Sequence, residues 1–266
     1  MKKRVGSAIV MIAIFVPLLF LGGVFFAFLI TLLALGAMYE MMRLRDDKKK
    51  IPSIIKVLTY FMIIFTFLLI YRDNIYSYDL DYRLISFIIF VFILPILFGE
   101  KKLDYNIKDA LYLVGTLLFI LISFNLIVVI RNYDLNYLIY LLLITVFTDT
   151  FAYITGSYIG KTKLAPSISP NKTMEGLVGG LLMGTFVPAV FYVTVINPSI
   201  SLVVIVFITL FLSLVGQLGD LVFSSIKRTY NVKDFSNLIP GHGGILDRFD
   251  SLIFVVLAFI IIVGVI

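Results

Sequence analysis

The chain has 266 residues, of which 61% are hydrophobic and only 14% are charged, against about 25% charged residues in a soluble domain, so a soluble fold is excluded. The absence of Cys excludes disulfides and thiolate chemistry, and a single His excludes zinc sites that need several His ligands. The net charge of +6 is better explained by membrane topology and by contact with anionic lipid or phosphate than by nucleic-acid binding.

Apolar runs divide the chain into nine segments when it is cut at charges, Pro residues and Gly clusters. A membrane-spanning helix needs about 20 such residues. The segments run approximately from Val5 to Leu21, Val24 to Met41, Ile54 to Tyr71, Leu84 to Phe98, Ala110 to Ile130, Leu135 to Gly160, Leu177 to Ile196, Leu202 to Phe223 and Ser251 to Ile266. The sequence predicts an all-α polytopic membrane protein with nine transmembrane helices. We also predict a single membrane domain (1–266), with helices one to five in 1–134 and helices six to nine with their loops in 135–266.

The basic residues predict the orientation, because loops on the cytoplasmic side of a membrane carry the excess of Lys and Arg. With nine crossings, nineteen of the 22 basic residues fall on one side. These are Lys2, Lys3, Arg4, Arg43, Arg45, Lys48, Lys49, Lys50, Lys56, Lys101, Lys102, Lys108, Lys161, Lys163, Lys172, Lys227, Arg228, Lys233 and Arg248. We therefore predict a cytoplasmic N-terminus, a C-terminus on the opposite side, and chemistry that faces the cytoplasm, where the longest polar stretches lie.

Two carboxylates lie well inside apolar segments, Asp149 in the sixth and Asp220 in the eighth. An acid in lipid is costly and marks a functional site by default, although an interhelical hydrogen bond or a buried ion pair is the simpler alternative. Ser224 and Lys227 follow Asp220 at spacings of four and seven, which places all three on one helix face. That face leads into a polar stretch from Ser224 to Asp250.

This stretch ends in two acids, Asp247 and Asp250, that share one face of a helical turn if the last helix begins near Ile245. Such a pair suits Mg²⁺, which prefers oxygen ligands and often binds substrate phosphates as well. Basic residues lie beside them and are suited to phosphate oxygens: Lys227, Arg228, Lys233 and Arg248. Helix-dipole stabilisation and topology are the simpler roles for each residue taken singly.

A glycine-rich turn in the same stretch carries the only histidine, His242. The glycines around it supply backbone N–H groups that are suited to an anion: Gly241, Gly243 and Gly244. We expect His242 to contact a substrate phosphate or base, with loop architecture or acid-base work as alternatives. An earlier loop, 161–176, carries Lys172 and Glu175 and is expected to close over a nucleotide.

The stretch from Ser224 to Asp250 resembles the C-terminal signature of the phosphatidate cytidylyltransferases, also called CDP-diacylglycerol synthases. The residues in register are Ser224, Lys227, Arg228, Lys233, Asp234, Pro240, His242, Gly243, Gly244, Asp247, Arg248 and Asp250. The resemblance extends upstream to the Asp149 segment and to Ser169–Gly176, whereas the first five helices resemble the family only in hydropathy.

The resemblance implies Mg²⁺-dependent transfer of the cytidylyl group from CTP to phosphatidic acid, which gives CDP-diacylglycerol and pyrophosphate at a cell membrane. Asp220, Asp247 and Asp250 would hold one cation or two, and Asp149 would contribute deeper in the cavity. Lys227, Arg228 and Arg248 would stabilise the triphosphate charge, while Lys172 closes from the other loop. The remaining substrate contacts would be Glu175, Ser224, Lys233, His242, Gly243 and Gly244.

Two other functions remain alternatives at this stage. A CTP-dependent polyprenol or phytol kinase also combines several helices with acids and basic loops, but it releases CDP rather than pyrophosphate. An ion-coupled transporter would use Asp149 and Asp220 as ion sites, although it predicts inverted repeats that the sequence lacks. The expected partners are CTP, phosphatidic acid and membrane lipid, without nucleic acid, and a homodimer stays open.

Overall fold

The computed structural model describes residues 2–73, 82–99, 104–197 and 199–263. Within these ranges it has nine helices of at least 12 residues, one for each predicted segment, and a single-turn helix. In chain order the helices are α1 (Lys2–Leu21), α2 (Gly23–Asp46), α3 (Ser53–Asp73), α4 (Tyr82–Ile93), the single turn α5 (Ile96–Gly99), α6 (Ile107–Tyr133), α7 (Leu135–Ile159), α8 (Met174–Phe191), α9 (Leu202–Thr229) and α10 (Leu246–Val263). Lys101, Lys102 and the last three residues of the ninth predicted segment lie outside the described residues.

Five of the described helices are long and apolar enough to cross a membrane. They are α2, α6, α7, α8 together with a π-helical turn that extends it (Tyr192–Ile196), and α9. Shorter apolar helices cover Val5–Leu21, Ser53–Leu69 and Tyr82–Ile93. The chain is thus mostly helical with several possible membrane spans, while the side on which each end lies stays a prediction.

One element departs from the all-α prediction. Strands β1 (Lys163–Ala165) and β2 (Ser169–Thr173) form an antiparallel hairpin in the loop between α7 and α8. The amide of Ile168 donates to the carbonyl of Ala165 at 3.1 Å and closes the turn. Strands this short carry no stretch of alternating apolar and polar residues, which is the signal that identifies a strand in a sequence.

The chain divides into two compact units. Unit 1 contains Met1–Tyr133 and the short segment Phe235–Ile245, and unit 2 contains Asp134–Asp234 and Leu246–Ile266. Helices α1 to α6 lie in unit 1, and helices α7 to α10 lie in unit 2. The prediction of a single membrane domain stays a prediction.

In unit 1, polar contacts tie helix ends together around an apolar core of α2, α3 and α6. Arg131 of α6 donates to the carbonyls of Leu19 and Phe20, both at 2.7 Å, at the turn between α1 and α2. At the other end of α6, Asp109 pairs with Arg45 and with Lys49, whose ammonium lies 2.8 Å away. The hydrogen bond to Asp109 raises the pKa of Lys49.

In unit 2, α7 packs closely against α8 and is hydrogen-bonded to α9. A Cβ added at Gly180 would lie 2.7 Å from the backbone oxygen of Thr148, so the two helices approach each other through glycine. The hydroxyls of Thr148 and Ser213 are 2.7 Å apart, as are those of Tyr140 and Thr209. These contacts hold α7 against α9 and so position Asp149 and Asp220, the acids that the two helices carry.

Candidate active site

Three carboxylates from three helices of unit 2 interact electrostatically: Asp149 of α7, Asp220 of α9 and Asp250 near the start of α10. We call them the acid cluster. Asp149 is exposed at the surface of the unit, and the other two are half-buried. Asp247 and Asp250 were predicted to share one face of a helical turn if the last helix began near Ile245. Helix α10 begins at Leu246, so this condition is met.

The residues next to the acids make the helix contacts that bring the cluster together. Thr148, before Asp149, meets Ser213 of α9. Gly219, before Asp220, packs on Phe254 of α10, and a Cβ added there would lie 2.7 Å from that ring. The acids are therefore positioned by close packing and a buried hydrogen bond rather than by mobile loops.

The hairpin contributes a cation to this cluster. Lys172 of β2 places its Nζ 2.6 Å from Asp220 Oδ2. The Ser224 hydroxyl, one turn further along α9, donates to Asp220 Oδ1 at 3.3 Å. The structure therefore brings together three residues that the sequence assigned to the site, and it gives Lys172 a carboxylate partner within the chain.

A second ion pair lies beside the cluster. Lys227 Nζ is 2.7 Å from Asp247 Oδ1, and their side chains are only 11% and 4% exposed. The charge of Lys227 also acts on Asp250. Asp247, predicted as a metal ligand, and Lys227, predicted as a phosphate ligand, are thus each other's partners in this structure.

The oxygen ligands of the acid cluster suit a divalent cation in chemistry and charge. They do not, however, form a complete metal-binding site in this structure. Among the described residues, no three carboxylate or imidazole side chains are close enough to form a ready metal-binding group. The acid cluster nevertheless holds three carboxylates against one ammonium, that of Lys172, once the Lys227–Asp247 pair is set aside. The buried hydroxyl of Ser251 lies beside the Asp149 carboxylate and interacts with it. Excess negative charge carried by oxygen ligands is what a hard cation requires.

Other predicted substrate ligands make contacts within unit 2. Arg228 donates to the carbonyls of Ile168 and Val232, both at 3.1 Å, and so ties the hairpin turn to the end of α9. Glu175 accepts from the amides of Lys161 and Thr162 at 3.0 and 3.1 Å. Their carbonyl and amide partners indicate that both residues shape the loop. Two further predicted ligands are exposed: Lys233 and Arg248.

The predicted glycine turn lies in unit 1, in the segment Phe235–Ile245, which we call the His242 loop. The amide of His242 donates to the carbonyl of Ile239 at 2.9 Å, with Pro240 and Gly241 between them. Gly241 has a φ of 79°, as position i+2 of a type II turn requires. The amide of His242 is therefore occupied within the turn, and the imidazole is carried at its last residue.

Two residues that the sequence did not single out contact this loop. The Ser7 hydroxyl lies 2.8 Å from His242 Nδ1. Glu40, which is completely buried, accepts from the Ser236 hydroxyl at 2.6 Å and from the amide of Ile245 at 2.7 Å. Glu40 sits one residue before the predicted end of the second segment, but α2 continues to Asp46. The apolar residues after it, Met41, Met42 and Leu44, were the available signal for burial.

Comparison with known proteins gives matches over nearly the whole chain. The profile of a cytidylyltransferase family matches residues 2–266. A phosphatidate cytidylyltransferase of Staphylococcus saprophyticus is 39% identical over 256 residues, which are 96% of this chain and 96% of that protein. Proteins of the same name are 37% identical in Staphylococcus aureus strain COL, with 96% of both chains covered, and 35% identical in Bacillus subtilis strain 168, with 96% and 94% covered. The similarity therefore includes the first five helices.

Proposed function

The chain belongs to the cytidylyltransferase family, and from this premise we propose that it transfers the cytidylyl group of CTP to phosphatidic acid. The products are CDP-diacylglycerol and pyrophosphate. A kinase acting on a lipid alcohol and an ion-coupled transporter, the two alternatives from sequence, have no counterpart among these relatives.

The observation that supports an active site for this reaction is the acid cluster together with two neighbouring lysines, Lys172 and Lys227. Like charges on three helices repel one another, so their approach does not by itself stabilise the fold. Perturbed charges grouped in this way are typical of functional sites. Lys172 and Lys227 place ammonium groups within 2.7 Å of carboxylates at the same place. Such an arrangement suits a polyanionic substrate that arrives together with its counter-cation.

The residues that would hold a divalent cation, Mg²⁺ by the family resemblance, are Asp149, Asp220 and Asp250, with the Ser251 hydroxyl beside them. When bound, one such ion or two neutralise the charge of the triphosphate and of the departing pyrophosphate. Asp247 stays in its ion pair with Lys227 and acts through that lysine.

The reaction needs positioning and charge stabilisation more than a protein nucleophile. An oxygen of the phosphatidate headgroup attacks the α-phosphorus of CTP. The bond from that phosphorus to the oxygen bridging the β-phosphate breaks, and pyrophosphate leaves with the bonding electrons. Lys227, oriented by Asp247, faces the charge that develops on the phosphates. Lys172 exchanges Asp220 for a phosphate oxygen when the nucleotide binds.

The site would open to the cytoplasm, from which CTP arrives. This orientation rests on the distribution of Lys and Arg, nineteen of 22 on one side of the predicted topology. The phosphatidate headgroup would reach the same site from the membrane interface. The protein then acts as a multi-pass protein of the cell membrane and forms one membrane domain.

The direct test uses purified protein, CTP labelled at the α-phosphate, phosphatidic acid in mixed micelles, and Mg²⁺. We expect the label to move into the organic phase, with one pyrophosphate released per labelled lipid. A lipid kinase would leave the label in the aqueous phase as CDP. That result, or absence of transfer from a folded preparation, contradicts the proposed function.

A further inference from the structure

The hairpin that carries Lys172 is seated on α7 and α8 by the next residue, Thr173. Thr173 is the last residue of β2, and its side chain is buried. Three glycines surround it: Gly156 of α7, Gly160 directly after α7, and Gly176 in the first turn of α8. We call these three residues the glycine notch.

The glycine notch fits Thr173 closely. A Cβ added at Gly156 would lie 3.0 Å from the Thr173 hydroxyl oxygen, and one added at Gly176 would lie at the same distance. At Gly160 an added Cβ would lie 2.8 Å from both the hydroxyl oxygen and the methyl carbon. Nonbonded heavy atoms prefer separations of about 3.5–4.0 Å. Thr173 therefore occupies space that a side chain at any of the three positions would need.

The first turn of α8 fixes both ends of the hairpin. At its end, the amide of Gly176 donates to Thr173 Oγ1 at 3.1 Å, which caps the helix. At its start, the carbonyl of Thr162 accepts from the amide of Met174 at 2.9 Å, and the amide of Thr162 donates to Glu175. The hairpin thus leaves the helix from a rigid base.

The seating of Thr173 sets the direction of Lys172. Thr173 has an extended backbone, with a φ of −125° and a ψ of 156°. Adjacent side chains of an extended strand point to opposite sides. With Thr173 in the glycine notch, Lys172 extends away from it, and its Nζ lies 2.6 Å from Asp220 Oδ2 of α9. A lysine ammonium stands on a flexible four-carbon stem, so its placement depends on how firmly its backbone is held.

We propose that Thr173 is a positioning residue for the cytidylyl transfer. Seated in the glycine notch, it holds Lys172 where the ammonium faces Asp220 and then a phosphate of the bound nucleotide. Thr173 acts through Lys172 and not on the substrate itself. This role in transfer rests on the proposed function, whereas the seating of the hairpin does not.

The kinetic test is a double-mutant cycle on kcat/KM for CTP at saturating phosphatidic acid. Thr173→Ala, which removes the capping hydroxyl and the methyl group, should lower kcat/KM about tenfold. Lys172→Met should lower it about 10²-fold. Because Thr173 acts through Lys172, the double variant should fall no further than Lys172→Met alone. Thr173→Ser keeps the capping hydroxyl and should retain most of the wild-type activity.

The matched control is Thr194→Ala, in the π-helical turn at the other end of α8. Its hydroxyl bonds the carbonyls of Val190 and Phe191. An additive double variant, about 10³-fold below the wild type, would reduce Thr173 to a structural residue. An unchanged kcat/KM in Thr173→Ala, or an equal loss in Thr194→Ala, would also overturn the proposal.

The seating of the hairpin can be measured without activity, because the chain contains no Cys. Asn171→Cys, at an exposed residue beside Lys172, accepts a single spin label. Its electron paramagnetic resonance spectrum should show restricted motion, which becomes faster when Thr173→Ala is added and stays the same with Thr194→Ala. A label that is equally restricted with Thr173→Ala would show that Thr173 does not hold the hairpin.

Gly156→Ala tests the glycine notch from α7 and replaces Thr173→Ala should that variant not fold. The added methyl group meets the Thr173 hydroxyl, while alanine favours the helix. We expect a several-fold lower kcat/KM for CTP and a more mobile label. The control is Gly115→Ala in α6, where an added Cβ has no neighbour within 4 Å among the described residues.

Wild-type kinetics and label motion in Gly156→Ala, or equal changes in Gly115→Ala, would overturn the proposal. Absence of transfer in the wild type would refute the proposed function and with it the role of Thr173 in transfer. The label spectra would still decide whether Thr173 seats the hairpin, so the two failures are distinguishable.

Discussion

The acid cluster of unit 2 and the His242 loop of unit 1 use polar groups in opposite ways. In the cluster, three carboxylates repel one another, and Asp149 is exposed. In the loop, Glu40 and Ser7 lie within 2.8 Å of the groups they contact. Repelling charges destabilise a fold, whereas satisfied hydrogen bonds stabilise a geometry. The difference separates a region built to bind charge from a region built to hold one residue in place.

The largest effect is expected from metal removal, which acts on the cluster alone. A chelator should reduce cytidylyl transfer to background, and added Mg²⁺ should restore it, because the excess of carboxylates then faces the triphosphate without a counter-charge. Full activity in excess chelator would break the distinction between the two regions.

Asp220→Asn should come next, with a loss of about 10²- to 10³-fold in kcat/KM, as for removal of one electrostatic group from an active site. The substitution keeps the volume and removes the charge that faces Lys172. The control is Asp47→Asn, an exposed acid beyond the end of α2. Equal activities of the two variants would remove Asp220 from the site.

The buried ion pair of Lys227 and Asp247 refines the comparison between the two regions, because we expect it to contribute both to the stability of the fold and to the transfer reaction. Lys227→Met should lower the free energy of unfolding by about 3 kcal/mol, since it leaves Asp247 buried without its counter-charge. The double variant Lys227→Met/Asp247→Asn should recover most of that loss and none of the activity. Denaturant unfolding in detergent and the transfer assay measure the two effects separately. Recovery of activity together with stability would reduce the pair to a structural role.

The smallest effect is expected at Arg228, which binds backbone carbonyls at the hairpin turn. Arg228→Ala should increase the rate of proteolysis within 161–173 and raise the KM for CTP only a few-fold, because hydrogen bonds from an exposed arginine contribute about 1 kcal/mol. Lys233→Ala, at another exposed cation, is the control for proteolysis. A loss of activity as large as that of Asp220→Asn would instead place Arg228 on the substrate.

The long apolar helices were predictable because hydropathy and length decide them. Their ends were not, since cutting at charges stops a segment too early. Helix α9 continues six residues beyond the predicted end at Phe223, and α2 reaches Asp46 rather than Met41. The polar residues after Phe223 still follow the helix period, so Lys227 reaches its partner from a helix and not from a loop.

The acid cluster was found from sequence because an acid inside an apolar segment is costly, which identified Asp149 and Asp220 without a structure. The partners of these residues were not predictable. The pairing of Lys172 with Asp220 depends on a short hairpin, and the burial of Glu40 depends on a loop about two hundred residues away along the chain. Contacts between distant segments leave no periodic signal in one sequence.

Cation binding by the acid cluster is tested most directly with Mn²⁺ in place of Mg²⁺, followed by electron paramagnetic resonance in the presence of CTP. We predict that the wild type binds Mn²⁺ and that Asp220→Asn and Asp250→Asn, both still folded, lose this binding, while Asp47→Asn retains it. Wild-type Mn²⁺ binding in both cluster variants would contradict the assignment of the site.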